Sequence, residues 1–180
     1  LLNKLYFMCG FVGFISPNKS IHSSVLIKMN DRIVHRGRDD YGYTGINYEN
    51  KSTFLSQENI LNGTDLSAGI GFRRLSIRDL TPKGHQPMYS YDKNICLVFN
   101  GEIYNTRYLR EVAESKGYCF LSNSDTEVIL AIYILEGLGF LLSNLDGMYA
   151  ICIVDLTKKK FIFIRDHVGI KPLYFYLNNN

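Results

Sequence analysis

The sequence predicts an α+β fold built on antiparallel sheets. Segments rich in Phe, Val and Ile, which favour strands, occur in groups along the chain, and amphipathic segments that favour helices stand between the groups. This order lacks the regular β-α-β alternation of parallel-sheet proteins. The 180 residues are 46% hydrophobic and 21% charged, as in an ordinary globular domain, and they can bury one sizeable core. We therefore expect a single domain behind a short leader.

Charge and cysteine content exclude several classes of protein. The net charge is only +3 and no basic stripe follows a predicted helix, so nucleic acid is not an expected partner. The four cysteines and four histidines are scattered without a C-x-x-C pair, so no metal site is expected. The longest apolar run, residues 128–135, falls well short of the roughly 18 residues that span a bilayer. We expect a cytoplasmic protein with free thiols and no membrane contact.

In the first third of the chain, a strand, a helix and a loop are expected in that order. The apolar residues 10–15 predict a buried strand, because the turn-forming sequence Ser-Pro-Asn follows them. Apolar side chains recur at helical spacing over residues 24–35, which predicts an amphipathic helix. Three glycines and two aspartates between residues 37 and 45 predict a loop. A short strand is expected at residues 53–55.

The middle of the chain predicts two strands and a helix. Residues 68–79 predict a strand followed by an irregular segment. Residues 95–99 predict a buried strand that ends at an Asn-Gly pair. A helix is expected over residues 108–116, and the glycine that follows it is a typical C-terminal stop.

The last third predicts a helix and a β-hairpin. Residues 124–127 match the S-x-x-E capping box, and the apolar run after them predicts a helix closed by Gly137. Residues 148–155 and 161–165 predict the two strands of a hairpin with an exposed lysine turn. The apolar run near the end of the sequence predicts one more strand, and its lack of a successor suggests a fragment.

Cys9 is the candidate nucleophile. A free thiol has a pKa near ~8.5, so it needs a base beside it to react at neutral pH. The α-amino group of an N-terminal Cys suits this role, because its pKa is about 7.7 to 8.0. Eight residues precede Cys9, but initiation at Met8 followed by removal of that methionine would free the amine. The alternative is a buried Cys that packs as a small hydrophobe.

Other candidate residues also allow a purely structural interpretation. The three arginines Arg73, Arg74 and Arg78 either form a solvated face or supply the planar fork that grips a carboxylate. Asp125 lies in the first turn of its predicted helix, where the helix dipole stabilises a carboxylate without any ligand. An Asn-Gly pair is most often a hairpin turn. Spacing alone leaves each of these choices open.

The order of the motifs along the chain indicates a family. In sequence they are Cys9-Gly10, His35-Arg36-Gly37, Arg74-Leu75-Ser76-Ile77, Gly84-His85-Gln86-Pro87-Met88, Asn100-Gly101-Glu102-Ile103-Tyr104-Asn105, Ser124-Asp125-Thr126-Glu127 and Arg165-Asp166-His167-Val168-Gly169-Ile170-Lys171-Pro172-Leu173-Tyr174. From residue 8 to about residue 176, this series closely resembles the class II glutamine amidotransferase domain of asparagine synthetases. The resemblance is specific, because several long motifs occur in the right order.

The resemblance implies an N-terminal-nucleophile hydrolase fold, a four-layer αββα sandwich with two stacked antiparallel sheets, here truncated at its C-terminus. It also implies a glutaminase, in which an N-terminal Cys attacks the side-chain amide of glutamine, releases ammonia and leaves a thioester that water cleaves. In this chain Cys9 would be the nucleophile. The Asn100 side-chain N–H and the Gly101 backbone N–H would form the oxyanion hole, and two such neutral donors suit the charge that develops in acyl transfer.

The same resemblance assigns the residues that recognise glutamine. Arg74 would grip the α-carboxylate, and Asp125 and Glu102 would hold the α-amino end. The main chain of Leu75 and Arg78 would line the pocket. A zwitterionic substrate end needs a cation and an anion placed apart, and Arg74 and Asp125 would supply them.

The resemblance divides the chain into residues 1–8, a leader or misassigned start, and residues 9–180, an incomplete type-2 glutamine amidotransferase domain. A Ser-Gly-Gly-x-Asp pyrophosphate-binding loop does not occur in the sequence. No cofactor is therefore expected in this domain, and ATP and magnesium are expected only in a synthetase domain outside it. The expected partners are glutamine and that synthetase domain. A homodimer stays open, as does the ammonia acceptor, aspartate or another carboxylate.

Two rival functions stay open. If Cys9 is not N-terminal, the chain would be a non-catalytic regulatory or interaction domain of the same fold. The second rival is another N-terminal-nucleophile hydrolase that acts on a different amide. Arg74 together with Asp125 argues against this second rival, because the two charges favour a free amino acid as substrate.

Overall fold

The computed structural model describes residues 9–48, 53–75 and 82–177, and within them ten strands and four α-helices are found. The strands are β1 (Gly10–Ile15), β2 (Ile21–His22), β3 (Asp40–Ile46), β4 (Phe54–Leu55), β5 (Asp65–Leu66), β6 (Ala68–Arg74), β7 (Met88–Tyr89), β8 (Ile95–Ile103), β9 (Gly147–Asp155) and β10 (Lys160–Arg165). The helices are α1 (Ser24–Arg32), α2 (Gln57–Leu61), α3 (Thr106–Ser115) and α4 (Asp125–Asn144).

Two four-stranded sheets form the centre of the molecule. The first sheet has the strand order β1-β6-β3-β4, and the second has the order β10-β9-β8-β7. Every neighbouring pair of strands in both sheets is antiparallel. Strands β2 and β5 form a separate two-stranded sheet. The predicted class, α+β with antiparallel sheets, is confirmed.

Three apolar clusters define four layers. Between the two sheets, Ile70 and Phe72 of the first sheet pack with Val98 and Cys152 of the second. On the outer face of the first sheet, Leu26 of α1 and Ile60 of α2 belong to one cluster with Tyr43. On the outer face of the second sheet, α3 and α4 pack over β8 and β9. The layers are therefore helix, sheet, sheet, helix, as the resemblance implies.

The loop predicted between residues 37 and 45 is wrong, because β3 begins at Asp40 and runs to Ile46. Its two glycines lie where the strand meets other parts of the chain too closely for a side chain. A Cβ atom at Gly42 would meet the carbonyl oxygen of Gln86, and one at Gly45 would lie 2.7 Å from Leu66 Cδ2. These glycines permit close packing of a strand rather than a loop.

The strand predicted to end at residue 99 continues to Ile103 as β8. Asn100 pairs with Ala150 and Gly101 with Tyr149 in regular register, so the Asn-Gly pair is not a hairpin turn. The hairpin interpretation is wrong because the strand that pairs with Asn100 and Gly101 is β9, which begins 44 residues after β8 ends. The predicted strands near residues 10–15 and 53–55 are confirmed as β1 and β4, and the strand predicted at the start of residues 68–79 is confirmed as β6. Most of the irregular segment predicted after it, residues 76–79, lies outside the described residues.

The predicted helices are confirmed with shifted ends. The first ends at Arg32 rather than at residue 35. Helix α3 begins at Thr106, and Gly117 follows it with a left-handed φ of 84°, as a C-terminal glycine does. Helix α4 is kinked at Gly137, where φ is 79°. That kink lies where the sequence predicted the helix to close.

The start of α4 differs from a full capping box. The Ser124 hydroxyl accepts a hydrogen bond from the Thr126 N–H at 3.1 Å, but Glu127 does not return to the N-cap. Its carboxylate instead accepts from the N–H groups of Leu121 and Ser122. By length and composition α4 is apolar enough to cross a membrane, and half of its most apolar window is buried inside the protein. A core helix that packs on a sheet has this character.

The predicted hairpin is confirmed as β9 and β10, joined by the lysine turn. The further strand predicted near the end of the sequence is wrong for the described residues, since none of residues 166–177 is in a strand. Tyr174 and Phe175 are exposed there. In the described part of the chain, no strand lies beyond β10 for this apolar run to pair with.

Candidate active site

Cys9 directly precedes β1, and the pairing of β1 with β6 brings its thiol against Leu75. Gly10 and Arg73 are partners in that pairing, so Cys9 lies beside the end of β6. The Leu75 N–H donates to Cys9 Sγ at 3.2 Å, and the Cys9 thiol lies 3.5 Å from the Leu75 carbonyl oxygen. The structure therefore brings together the predicted nucleophile and one wall of the predicted glutamine pocket.

The surroundings of Cys9 act on its thiol in opposite directions. Burial raises the pKa of the Cys9 thiol, and this is the largest effect. The hydrogen bond from Leu75 and the positive charges of Arg74 and Lys171 lower that pKa. The net pKa lies above the ordinary value, so the resting thiol is protonated at neutral pH. Chemistry at Cys9 therefore requires a base.

Arg74 is buried, with 8% of its surface exposed, at the C-terminal end of β6. The turn at residues 37–39 fixes its backbone, because the Asp39 N–H donates to the Arg74 carbonyl at 3.1 Å. Gly37 lies directly on this backbone and leaves no room for a Cβ atom. The solvated-face interpretation does not fit this arginine. Arg78, predicted to line the same pocket, lies outside the described residues.

Asn100 and Gly101 lie in the C-terminal half of β8, where they pair with β9 of the second sheet. Side chains alternate along β8, and Asn100 shares the face of Cys96 and Val98, which pack toward the first sheet. Cys9 packs against that same cluster, so Asn100 and Cys9 face the same interior space. At Gly101 a Cβ atom would lie 2.8 Å from Tyr149 Cα. Packing against β9 therefore requires glycine there.

Asp125 lies at the start of α4 and joins it to the end of β8. Its carboxylate accepts from the Ile103 N–H at 3.0 Å and from the Thr106 hydroxyl at 3.1 Å. Glu102, the residue before Ile103, pairs with Met148 in the sheet. The predicted α-amino site is thus one continuous region, formed by the end of β8 and the first turn of α4.

Lys171 is a site residue that sequence reasoning missed. Only 3% of it is exposed, and its charge acts on Cys9 and on Glu102. Burial is the main cause that lowers the pKa of Lys171, and Arg36 adds to it. Lys171 lies inside the motif at residues 165–174, but a lysine in that motif does not by itself indicate a role.

The segment that carries Lys171 is tied to the second sheet through Asp166. The Asp166 carboxylate accepts from the N–H groups of Tyr149, Ile170 and Lys171. Since Tyr149 is the partner of Gly101, this network ties the segment of Lys171 to β9 beside Gly101. Arg36, also without a predicted role, donates to the Cys9 carbonyl at 3.3 Å.

Residues 9–48, 53–75 and 82–177 contain no group of three or more His, Cys, Asp or Glu side chains that could hold a metal ion. A cleft of about 540 Å³ lies away from Cys9, between α3 and residues 118–123. None of the predicted site residues lines it. The predicted site residues therefore gather around Cys9 rather than in this cleft, and they comprise a thiol, a buried cation and neutral donors.

Comparison with known proteins gives the same picture. A family model described as a glutamine amidotransferase domain matches residues 8–180. Asparagine synthetase [glutamine-hydrolyzing] 1 of Bacillus subtilis is 41% identical over 172 residues, which is 93% of this chain and 24% of the relative. Amidase chry2 of Gibberella zeae is 40% identical over 185 residues, 96% of this chain and 25% of the relative. The chain thus spans about a quarter of the length of either relative.

A solved structure supports the fold. Glutamine phosphoribosylpyrophosphate amidotransferase of B. subtilis, in complex with ADP and GMP, matches with a TM-score of 0.64 and 20% identity. The match covers 83% of this chain and 35% of that protein. The four layers described above are therefore those of an N-terminal-nucleophile amidotransferase.

Proposed function

The chain belongs to the glutamine amidotransferase domain family, and from this premise we propose that it is the glutaminase half of an asparagine-synthetase-like enzyme. It hydrolyses glutamine to glutamate and ammonia through a thioester on Cys9. The observation that carries the proposal is the position of the Cys9 thiol, hydrogen-bonded to Leu75 and next to the buried Arg74.

The base in this proposal is the α-amino group of Cys9, freed when translation begins at Met8 and the methionine is removed. The raised pKa of the thiol makes such a base necessary. The amine takes the thiol proton, and the thiolate attacks the amide carbon of the glutamine side chain. The oxyanion that forms accepts hydrogen bonds from the Asn100 side chain and the Gly101 N–H, two neutral donors that suit the developing charge.

The rest of the reaction takes two stages, the formation of the thioester and its hydrolysis. The C–N bond breaks as the leaving nitrogen takes the proton back from the ammonium of Cys9, and ammonia departs. A water molecule, deprotonated by the same amine, attacks the thioester carbon. The C–S bond breaks, the thiolate of Cys9 regains its proton, and glutamate leaves.

Charges on opposite sides of the site orient the substrate. Arg74 holds the α-carboxylate, since its guanidinium can donate two parallel hydrogen bonds. Asp125 and Glu102 hold the α-amino group, and the main chain of Leu75 and Arg78 lines the pocket. The Asp125 carboxylate accepts hydrogen bonds from the Ile103 N–H and the Thr106 hydroxyl, which fix its position at the start of α4.

The acceptor chemistry is assigned to a synthetase domain outside this chain. Ammonia passes to that domain, where ATP and magnesium activate the carboxylate to be amidated, with no cofactor in the domain described here. The name of the B. subtilis relative, a glutamine-hydrolysing asparagine synthetase, supports aspartate as the acceptor. The proposed compartment is the cytoplasm.

The proposal is tested by glutamine-dependent ammonia release from a chain started at Met8. Cys9→Ala should abolish release while the protein keeps its melting temperature, because the thiol is lost and little packing changes. Release that persists in Cys9→Ala would refute the assignment of the nucleophile. Added asparagine and simple amides test the substrate preference. Neither should strongly inhibit the release of ammonia from glutamine.

A further inference from the structure

The motif Gly84-His85-Gln86-Pro87-Met88 has no role in the reaction proposed above, yet its Gln86 side chain is buried beside β8 and α4. Gln86 is 5% exposed. Its Oε1 accepts from the Phe99 N–H at 2.6 Å, and its Nε2 donates to the Phe99 carbonyl at 3.3 Å. Nε2 also lies 3.0 Å from the hydroxyl oxygen of Thr126. One amide side chain therefore joins β8 to α4.

The register of β7 shows why a glutamine stands at this position. Met88 pairs with Leu97, so residue 86 is the next position opposite Phe99. There the side-chain amide of Gln86 forms the two hydrogen bonds to the N–H and C=O of Phe99 that the backbone of a neighbouring strand would otherwise form. The backbone of Gln86 is packed instead against Gly42 of β3, too closely for a Cβ atom. The segment is therefore held from both sheets.

Each side-chain hydrogen bond of His85 and Gln86 reaches a residue that neighbours or pairs with a residue of the proposed glutamine site. Phe99 precedes Asn100, and Thr126 follows Asp125. The third contact belongs to His85, whose Nδ1 lies 2.7 Å from Asp40 Oδ2. Asp40 is the cross-strand partner of Arg74.

We propose that His85 and Gln86 form a brace that sets the spacing between the oxyanion donors, the α-amino site and the α-carboxylate site. Gln86 is a positioning residue, because it acts on substrate only through Phe99 and Thr126. The inference rests on the proposed glutaminase function. A displacement of about 1 Å at a reacting centre can cost roughly 10²-fold in rate, so small movements of β8 against α4 matter.

The first test is Gln86→Met in the chain started at Met8, a substitution that keeps the volume and removes the amide. We expect kcat for glutamine hydrolysis to fall by about tenfold or more and KM to rise, because the hydrogen bonds that hold β8 and α4 in a fixed relative position are lost. The rate at which iodoacetamide alkylates Cys9 should stay unchanged. That reaction needs the thiolate but neither the oxyanion hole nor the α-amino site.

The second test separates the two ends of the brace. Thr126→Val removes only the hydroxyl that Gln86 contacts and leaves both hydrogen bonds to Phe99 in place. The expected result is a severalfold rise in KM with a smaller change in kcat, since α4 carries Asp125 and β8 carries the oxyanion donors. This variant also decides the question if Gln86→Met fails to fold.

Ser90→Ala is the matched control. The buried Ser90 hydroxyl accepts from the Ile95 N–H at 2.9 Å and so holds the opposite end of the same strand, β8. Its loss should lower the melting temperature and leave kcat and KM unchanged. A merely structural role for Gln86 would give this same pattern.

The outcomes separate the brace from the function on which it rests. Wild-type activity with unchanged kcat and KM in Gln86→Met and Thr126→Val would overturn the brace and leave the glutaminase standing. Equal kinetic losses in Ser90→Ala would also overturn it. A folded wild-type chain with N-terminal Cys9 that releases no ammonia would refute the proposed function, and the brace with it.

Discussion

The two sheets each have four antiparallel strands but are built from different residues. Strands β1, β3 and β6 of the first sheet contain six glycines, whereas the four strands of the second contain two. The glycines of the first sheet lie where backbone meets backbone or a helix side chain, as at Gly42 on Gln86 and Gly71 on Asn30. In the second sheet, β-branched and apolar side chains fill the space instead.

This difference parallels the roles proposed for the two sheets in glutamine hydrolysis. Close backbone packing in the first sheet holds the thiol of Cys9 and the buried cation of Arg74. The second sheet, packed on both faces, holds the neutral donors Asn100 and Gly101 in a regular ladder. Variants of the first sheet should therefore mainly change KM, because this sheet carries the cation that binds substrate. Variants of the second sheet should mainly change kcat, because this sheet carries the donors that stabilise the transition state.

The largest kinetic effect among these variants is expected in the second sheet. Asn100→Ala removes one oxyanion donor and should lower kcat by about 10²–10³-fold, with KM changed far less, because the donor acts mainly in the transition state. Steady-state ammonia release measures both constants. A tenfold rise in KM at constant kcat would contradict this division between the sheets.

Arg74→Ala tests the first sheet and should give the opposite pattern. Charge-assisted hydrogen bonds contribute roughly 1.5–3 kcal/mol, which corresponds to a rise in KM of about ten- to a hundredfold. The change in kcat should be smaller. Arg73→Ala is the control, since Arg73 donates to Asp31 at 2.6 Å and to the Asn30 carbonyl rather than to the site. A normal KM in Arg74→Ala would show that the α-carboxylate binds elsewhere.

A smaller effect is expected from Lys171→Met, which removes a positive charge and keeps most of the side-chain volume. The Lys171 charge lowers the pKa of the Cys9 thiol, so its loss raises that pKa and reduces the thiolate fraction at any given pH. Alkylation of Cys9 by iodoacetamide should become severalfold slower at pH 7, and its pH profile should move to higher pH. Lys171→Arg keeps the charge and should show the wild-type profile. Lys160→Met is the control, because it removes a lysine at the exposed end of β10, and it should also leave the profile unchanged. An unmoved profile in Lys171→Met would contradict this account.

The smallest expected effect concerns the glycines themselves. Gly42→Ala places a methyl group against the Gln86 backbone and should cost about 1–3 kcal/mol of stability, as overpacking does. Gly139→Ala in α4 meets nothing within 4 Å and should stabilise the protein by about 0.5–1 kcal/mol. Urea unfolding measures both changes. Equal tolerance at the two positions would show that the first sheet does not depend on close packing.

The same contrast explains what the sequence could predict. Strands of the second sheet are rich in β-branched residues, and the sequence correctly predicts the hairpin of β9 and β10. The sequence predicts a loop at β3, because glycine is typical both of loops and of close packing, and only a neighbour such as Gln86 decides between them. The predicted end of β8 is wrong for a similar reason, since the Asn100-Gly101 pair is typical of a turn but here pairs with β9, which lies far away in the sequence.

The candidate site divides in the same way. Cys9, Asn100 and Arg74 lie in recognisable motifs, and the structure places them around the interface of the sheets. Lys171 and Gln86 could not be given roles from the sequence, because a lysine is usually exposed and a glutamine carries no reactive group. Their importance depends on burial and on contacts with residues far away in the chain.

The most direct measurement compares two preparations of the chain that differ only at the N-terminus. One begins at Cys9 after removal of Met8, and the other retains residues before Cys9, with both forms verified by intact mass. If the amine of Cys9 is the base, the first releases ammonia from glutamine and the second, folded to the same extent, does not. Equal release from both forms would contradict the account, as would a silent, folded chain with Cys9 at its N-terminus.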